Sequence, residues 1–117
     1  FEATANGTLA GAEIKFDPRT AAAIMLVSGG YPGNYEKGKV ISGIDNANNC
    51  IVFHAGTARD IENNSVKTTG GRVLAVTALG NNLSSALELA YSNVDMIDFE
   101  GKYVRSDIGF DLLKFEL

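Results

Sequence analysis

Gly33-Asn34-Tyr35-Glu36-Lys37-Gly38-Lys39 has the G-x-x-x-x-G-K spacing of a phosphate-cradling loop, in which backbone N–H groups and a lysine surround a polyphosphate. Two features break the match. Val40 stands where a Ser or Thr hydroxyl is needed for magnesium, and Val40-Ile41 opens a strand-like run instead of a helix whose N-terminus would face the phosphates. As a glycine-rich turn the segment still offers N–H groups, Lys37 and Lys39 to an anion.

Cys50 and His54 have the residue types of a nucleophile and its base. On one strand they share a face but lie about 13 Å apart at about 3.3 Å per residue, far beyond hydrogen-bond reach. One cysteine and one histidine cannot supply the three or four ligands of a zinc site either. Cys50 is read as a small buried hydrophobe. His54 stays open between a hydrogen-bonded structural histidine, the preferred reading, and a catalytic base; no G-x-S-x-G elbow accompanies it. Asn6-Gly7-Thr8 and Asn63-Asn64-Ser65 are sequons and are read as loops. Lys67 is too far from the Gly70-Gly71 tip to be the lysine of a biotinyl or lipoyl carrier.

Arg72 is the residue that stands out. Directly after Gly70-Gly71 it combines a fork of five donors with exposed hairpin N–H groups, an arrangement suited to a phosphate or carboxylate. A plain surface arginine at a hairpin end is the other reading.

The elements that must position these groups are mostly strands. Ala12 to Asp17 alternates, with Ile14 and Phe16 apolar, as a short edge strand ending at Asp17-Pro18 would. Ala21 to Ser28 is a continuous apolar run closed by Gly29-Gly30-Tyr31-Pro32-Gly33, the pattern of a strand buried on both faces. Lys39 to Ile44 and Cys50 to His54 read as a strand pair joined through Asp45 to Asn49. Val66 to Thr69 and Arg72 to Leu79 flank Gly70-Gly71, the pair a two-residue hairpin wants because both central positions can take positive φ.

One helix follows, from about Leu83 to Phe99, with Asn82 as N-cap and Gly101 past its end. Leu83, Ala86, Leu87, Ala90, Val94 and Ile97 form its apolar stripe. Asp95, Asp98 and Glu100 near its C-terminus oppose the helix dipole, which calls for solvation or for a basic partner surface. Tyr103 to Leu117 is expected to form a short strand or turn and then an apolar end that docks.

The chain has 117 residues, the size of one domain, with 13 glycines against 2 prolines and a net charge of -4. Its ten basic residues are scattered, which argues against general nucleic-acid binding. The longest apolar run, Ala21 to Val27, is far short of the ~20 residues of a membrane-spanning helix. The single cysteine excludes an internal disulfide, no signal-like segment opens the chain, and the expected compartment is the cytoplasm. A first residue other than methionine suggests a piece of a longer polypeptide.

Gly29-Gly30-Tyr31-Pro32-Gly33-Asn34-Tyr35-Glu36-Lys37-Gly38-Lys39-Val40-Ile41, Phe53-His54-Ala55-Gly56-Thr57, Thr68-Thr69-Gly70-Gly71-Arg72 running on to Gly80, and Phe99-Glu100-Gly101-Lys102-Tyr103 running on to Phe110 occur in that order. In sequence and spacing these blocks resemble the C-terminal domain of the phosphoribosylamine–glycine ligase family, over Ala21 to about Leu112. Lys39, where an acidic residue is expected, and the loop Asn46 to Asn49 depart from the pattern.

The resemblance implies an ATP-grasp ligase of purine biosynthesis that joins glycine to 5-phosphoribosylamine, with ATP and magnesium or manganese in the full-length enzyme. The nucleotide and metal ligands are expected upstream, so this piece carries no catalytic residue, metal ligand or cofactor of its own and is inactive alone. Its partners are then the ATP-grasp domains of the same polypeptide and the small-molecule substrates, with no nucleic acid and no membrane. Substrate contact carries over to Gly70, Gly71 and Arg72, and to the loop Gly29, Gly30, Tyr31, Pro32 and Gly33. Residues 1–20 become the tail of a preceding domain, and residues 21–117 the C-terminal domain. The implied fold is α+β and β-dominated, an antiparallel half-barrel sandwich (a barrel-sandwich hybrid) with one packed helix. Two other classes stay open: a free-standing interaction or ligand-binding module, and a small hydrolase using His54.

Overall fold

In the computed structural model, which describes residues 1–115, the centre of the fold is an antiparallel pair of nine-residue strands, β1 (Thr20–Ser28) and β6 (Arg72–Gly80). Thr20 lies opposite Gly80 and Leu26 opposite Leu74, and a register shift after Leu26 brings Val27 opposite Arg72. Strand alternation places Ala22, Ile24 and Leu26 beside Leu74, Val76 and Ala78 on one buried face. Helix α2 (Leu83–Met96) crosses that face with Ala86, Leu87, Ala90 and Val94. Each large aliphatic side chain buried there contributes about 1.5–3 kcal/mol.

β3 (Cys50–His54) and β7 (Lys102–Tyr103) complete this sheet in the order β3-β6-β1-β7. A second, three-stranded sheet has the order β2-β5-β4, built from β2 (Val40–Ile41), β4 (Thr57–Asp60) and β5 (Ser65–Thr68). Every named pairing is antiparallel, so the class is α+β with one main helix. A four-residue helix, α1 (Glu2–Ala5), lies near the start of the chain. Among the described residues no helix is long and apolar enough to cross a membrane.

The N-cap is where the sequence places it: Asn82 Oδ1 accepts the Ser85 N–H at 2.8 Å and Ser85 returns the bond, closing a capping box. The helix stops at Met96, short of Phe99, because Ile97 turns extended and the Lys102 ammonium donates to the terminal carbonyls of Ile97 (2.7 Å) and Val94 (3.3 Å). The acidic end is thus answered inside the chain: Lys102 also lies 3.9 Å from Asp98, and Lys39 pairs with Glu100.

Four expectations fail. Residues Ala12 to Asp17 form no strand, since Ile14 and Phe16 find no face and remain 68% and 88% exposed. The segments around β2 and β3 do not pair with each other: Ser42 bridges to Asp98, the Asn48 N–H donates to Asn93, and β3 joins β6 instead. Gly70-Gly71 is not a hairpin turn, for neither glycine has positive φ and the strands on either side belong to different sheets. Finally, β1 is not buried on both faces: among the described residues its second face leaves Ala21 and Ala23 exposed and Met25 and Val27 half-buried. The tail pairs briefly as β7, and Tyr91 donates to Arg105 O and stacks edge-on against Phe110, while Leu112 and Phe115 stay exposed. Residues 116 and 117, the end of the expected docking tail, lie outside the described residues.

Candidate functional site

The crossover Thr68 to Arg72 is the point at which three distant segments meet. Ser28, the last residue of β1, donates its N–H to Gly71 O (2.8 Å) and its hydroxyl to Gly70 O (3.0 Å). At the other end of the loop, the Gly38 N–H donates to Thr68 O (2.7 Å) and the Lys39 N–H to Thr68 Oγ1 (3.1 Å). The loop carrying Gly29, Gly30, Tyr31, Pro32 and Gly33 is therefore clamped at both ends to the stretch that leads into Arg72.

The third segment is the turn between β3 and β4. The Gly56 N–H donates to Arg72 O (2.8 Å), and Gly56 O accepts from the Thr69 N–H (2.8 Å). A Cβ on Gly56 would lie 2.6 Å from Arg72 O and 2.7 Å from Gly70 Cα, so only glycine lets the two backbones approach. Tyr31 covers Gly71 and meets Tyr35 edge-on, with ring centroids 6.0 Å apart.

Donor inventory decides what this cluster can hold. Arg72 is exposed, and among the described residues its guanidinium has no hydrogen-bond or ion-pair partner. The Gly70 and Gly71 N–H groups likewise find no acceptor among the described residues. A fork of cationic donors on the residue that follows two unpaired amides is a donor set suited to phosphate or carboxylate oxygens. The lysines of the glycine-rich turn are differently placed. Lys39 bonds Glu36 (2.6 Å) and Glu100 (2.7 Å), which raise its pKa, the Glu100 bond most, while its ammonium lowers that of Glu36. Lys37 sits 6.0 Å from the Tyr35 ring centroid.

His54 and Cys50 each make local contacts. His54 Nδ1 and Thr57 Oγ1 are 2.9 Å apart, an exposed pair that closes the β3–β4 turn. Cys50 packs against the core, and burial pushes its thiol pKa up, away from the reactive thiolate. His54 lines a polar cleft of about 560 Å³ with Asp45, Thr57, Arg59 and Asn64. An apolar groove of about 250 Å³ lies beside the Tyr31 loop, bounded by Ala23, Met25, Val27, Tyr31, Tyr103 and Ile108. Among the described residues no three His, Cys, Asp or Glu side chains gather where a metal ion could be held.

Sequence reasoning gave no role to Ser28 or Gly56, although both help hold the crossover in place. For Gly56 a signal existed, a glycine inside one of the four recognised blocks; Ser28 carried none.

The chain as a whole is similar to known proteins. The family model described as phosphoribosylglycinamide synthetase, C domain, matches residues 21–111. A phosphoribosylamine–glycine ligase of Vibrio cholerae is 44% identical over 111 residues, covering 93% of this chain and 25% of that protein. The chloroplastic phosphoribosylamine–glycine ligase of Arabidopsis thaliana is 43% identical, covering 96% of this chain and 22% of its own length. The crystal structure of the phosphoribosylamine–glycine ligase of Thermotoga maritima superposes with a TM-score of 0.72 at 31% identity, over 91% of this chain and 27% of that one. The chain thus spans about a quarter of the length of the relatives it matches.

Proposed function

The chain belongs to the family of phosphoribosylglycinamide synthetase C domains, and on that premise we propose that it is the C-terminal part of a phosphoribosylamine–glycine ligase. The complete enzyme makes glycinamide ribonucleotide from 5-phosphoribosylamine, glycine and ATP in purine biosynthesis. ATP and magnesium or manganese are held by ATP-grasp domains earlier in the same polypeptide. Residues 1–20 belong to the end of the preceding domain, residues 21–117 form this one, and the two sheets are the half-barrels of a barrel-sandwich hybrid. The compartment is the cytoplasm; the Arabidopsis relative is named chloroplastic.

The role of this domain is to line and close the substrate side. One observation supports that reading: the unpartnered Arg72 guanidinium belongs to the residue that follows two unpaired amides, on the crossover to which the Tyr31 loop is clamped. Arg72 binds the 5-phosphate of phosphoribosylamine through paired N–H donors, Gly70 and Gly71 add amides, and Tyr31 shields the contact from water, which strengthens it. None of these groups moves a proton, so the domain binds and orients.

The test is the coding sequence before residue 1, expressed together with these residues and assayed for ADP release that requires both glycine and 5-phosphoribosylamine. Such turnover by the longer protein, and none by the 117-residue chain, is the expected result. Turnover by the 117-residue chain alone, lost in His54→Ala, would establish the hydrolase reading instead. A reading frame that starts near residue 1 would favour the free-standing module.

A further inference from the structure

The carbonyls of the crossover differ in what holds them. Thr68 O, Gly71 O and Arg72 O accept from the backbone N–H groups of Gly38, Ser28 and Gly56, donors that every residue except proline supplies. Gly70 O accepts from a side chain, the hydroxyl of Ser28, at 3.0 Å. Ser28 is 5% exposed, so this hydroxyl is spent inside the fold rather than on water.

That one bond fixes more than a carbonyl. The Gly70–Gly71 peptide is trans, so its C=O and N–H point in opposite directions, and holding Gly70 O against Ser28 turns the Gly71 N–H away from Ser28. Neither flanking residue has a Cβ. A half-turn of the peptide, which would exchange carbonyl and N–H, meets little steric resistance from two glycines, so the Ser28 hydroxyl selects the orientation. The orientation it selects leaves a buried donor: Gly71 is covered by Tyr31, and its N–H has no acceptor among the described residues. Buried amides are almost always paired, and a donor held unpaired there calls for an acceptor from outside the chain.

We propose that Ser28 is a positioning residue for the 5-phosphate of phosphoribosylamine: its hydroxyl locks the Gly70–Gly71 peptide so that the Gly71 N–H, and not the Gly70 carbonyl, faces a phosphate oxygen. A flipped peptide would turn a carbonyl oxygen toward the same anion and repel it. Ser28 touches no substrate and acts through the peptide alone. This rests on reading the crossover as the phosphate contact.

Kinetics of the full-length enzyme test it. Ser28→Ala should raise the KM for 5-phosphoribosylamine by about 3- to 10-fold, the worth of one amide hydrogen bond, with kcat and the KM for ATP unchanged. Ser28→Thr, which keeps the hydroxyl, should return the KM to that of the unaltered enzyme. An unchanged KM for 5-phosphoribosylamine in Ser28→Ala would overturn the proposal, and so would a rise shared equally by ATP, the mark of general structural support. A second measurement needs no substitution. Glycine labelled at both its carbonyl carbon and its nitrogen singles out Gly–Gly peptides, of which this chain has two, Gly29–Gly30 and Gly70–Gly71. The Gly71 amide resonance should shift when ribose 5-phosphate is added to the unaltered enzyme, and a resonance that stays in place overturns the proposal whether or not the variants fold. A KM that rises in Arg72→Ala but not in Ser28→Ala defeats this proposal alone, whereas no effect from either defeats the phosphate reading beneath it.

Discussion

The ring of Tyr31 lies across Gly71 so closely that a Cβ built on Gly71 would sit 1.9 Å from Tyr31 Cδ2 and 2.8 Å from Cγ. Gly71 is thereby the floor on which the loop's aromatic rests. Gly71→Ala should destabilise the domain by about 1–3 kcal/mol, because the ring must leave or the crossover must shift. In a Tyr31→Ala background the same change should be neutral or slightly stabilising, since Gly71 has no positive φ and alanine restricts the unfolded chain. A double-mutant cycle by denaturant unfolding measures the coupling; a penalty that persists without the ring would place the obstacle elsewhere.

Asn93 is 1% exposed on the helix face that otherwise buries aliphatic side chains. Its Oδ1 accepts the Asn48 backbone N–H at 2.7 Å and its Nδ2 donates to Leu89 O at 2.8 Å, which ties the asparagine-rich loop to α2. Asn93→Ala leaves that N–H without its acceptor and should cost about 1–3 kcal/mol. Asn48→Ala keeps the backbone donor and should leave the melting temperature close to that of the parent chain. Equal losses for the two variants would locate the contribution in the side chain of Asn48.

What the sequence made legible was local. β1, β6, the Asn82 cap and the apolar stripe of α2 follow from periodicity and capping chemistry, which act over a few residues. The failures concern partners. Gly70-Gly71 reads as a hairpin because two glycines permit one, yet Gly56 and Ser28 bind that stretch and route its two strands into separate sheets. Nothing near Val40 or Cys50 reveals that the loop between them is held by a helix residue 45 positions beyond Asn48. For the candidate site, the residue types of Gly70, Gly71 and Arg72 could be read from sequence. The clamping of the Tyr31 loop onto them could not, because it rests on contacts 42 residues apart.

Asp60 accepts from Lys67 (2.5 Å) and from Asn63, and these bonds hold its carboxyl well below the ordinary 3.8. Its folded pKa lies below its unfolded one, so the stabilisation is complete above the unfolded value and is lost as pH falls through the folded one. Asp60→Asn should therefore lower the melting temperature near pH 6 and make its fall between about pH 4 and about pH 2 shallower than in the parent chain. Parallel pH profiles for the two proteins would show that the Asp60–Lys67 pair contributes nothing to the acid response.

Arg72 tests the account most directly. It makes no pair within the described residues, so removing its charge should leave folding untouched and affect only what it binds. In the full-length enzyme, Arg72→Ala should raise the KM for 5-phosphoribosylamine by about 10- to 100-fold, the worth of a charge-assisted contact, with the KM for ATP and the melting temperature unchanged. Arg72→Lys, which keeps the charge and loses the fork, should fall between the two. The decisive measurement is the pair of KM values for Arg72→Ala beside those of the unaltered enzyme. A rise confined to 5-phosphoribosylamine is the predicted result, and unchanged values for both substrates would contradict it.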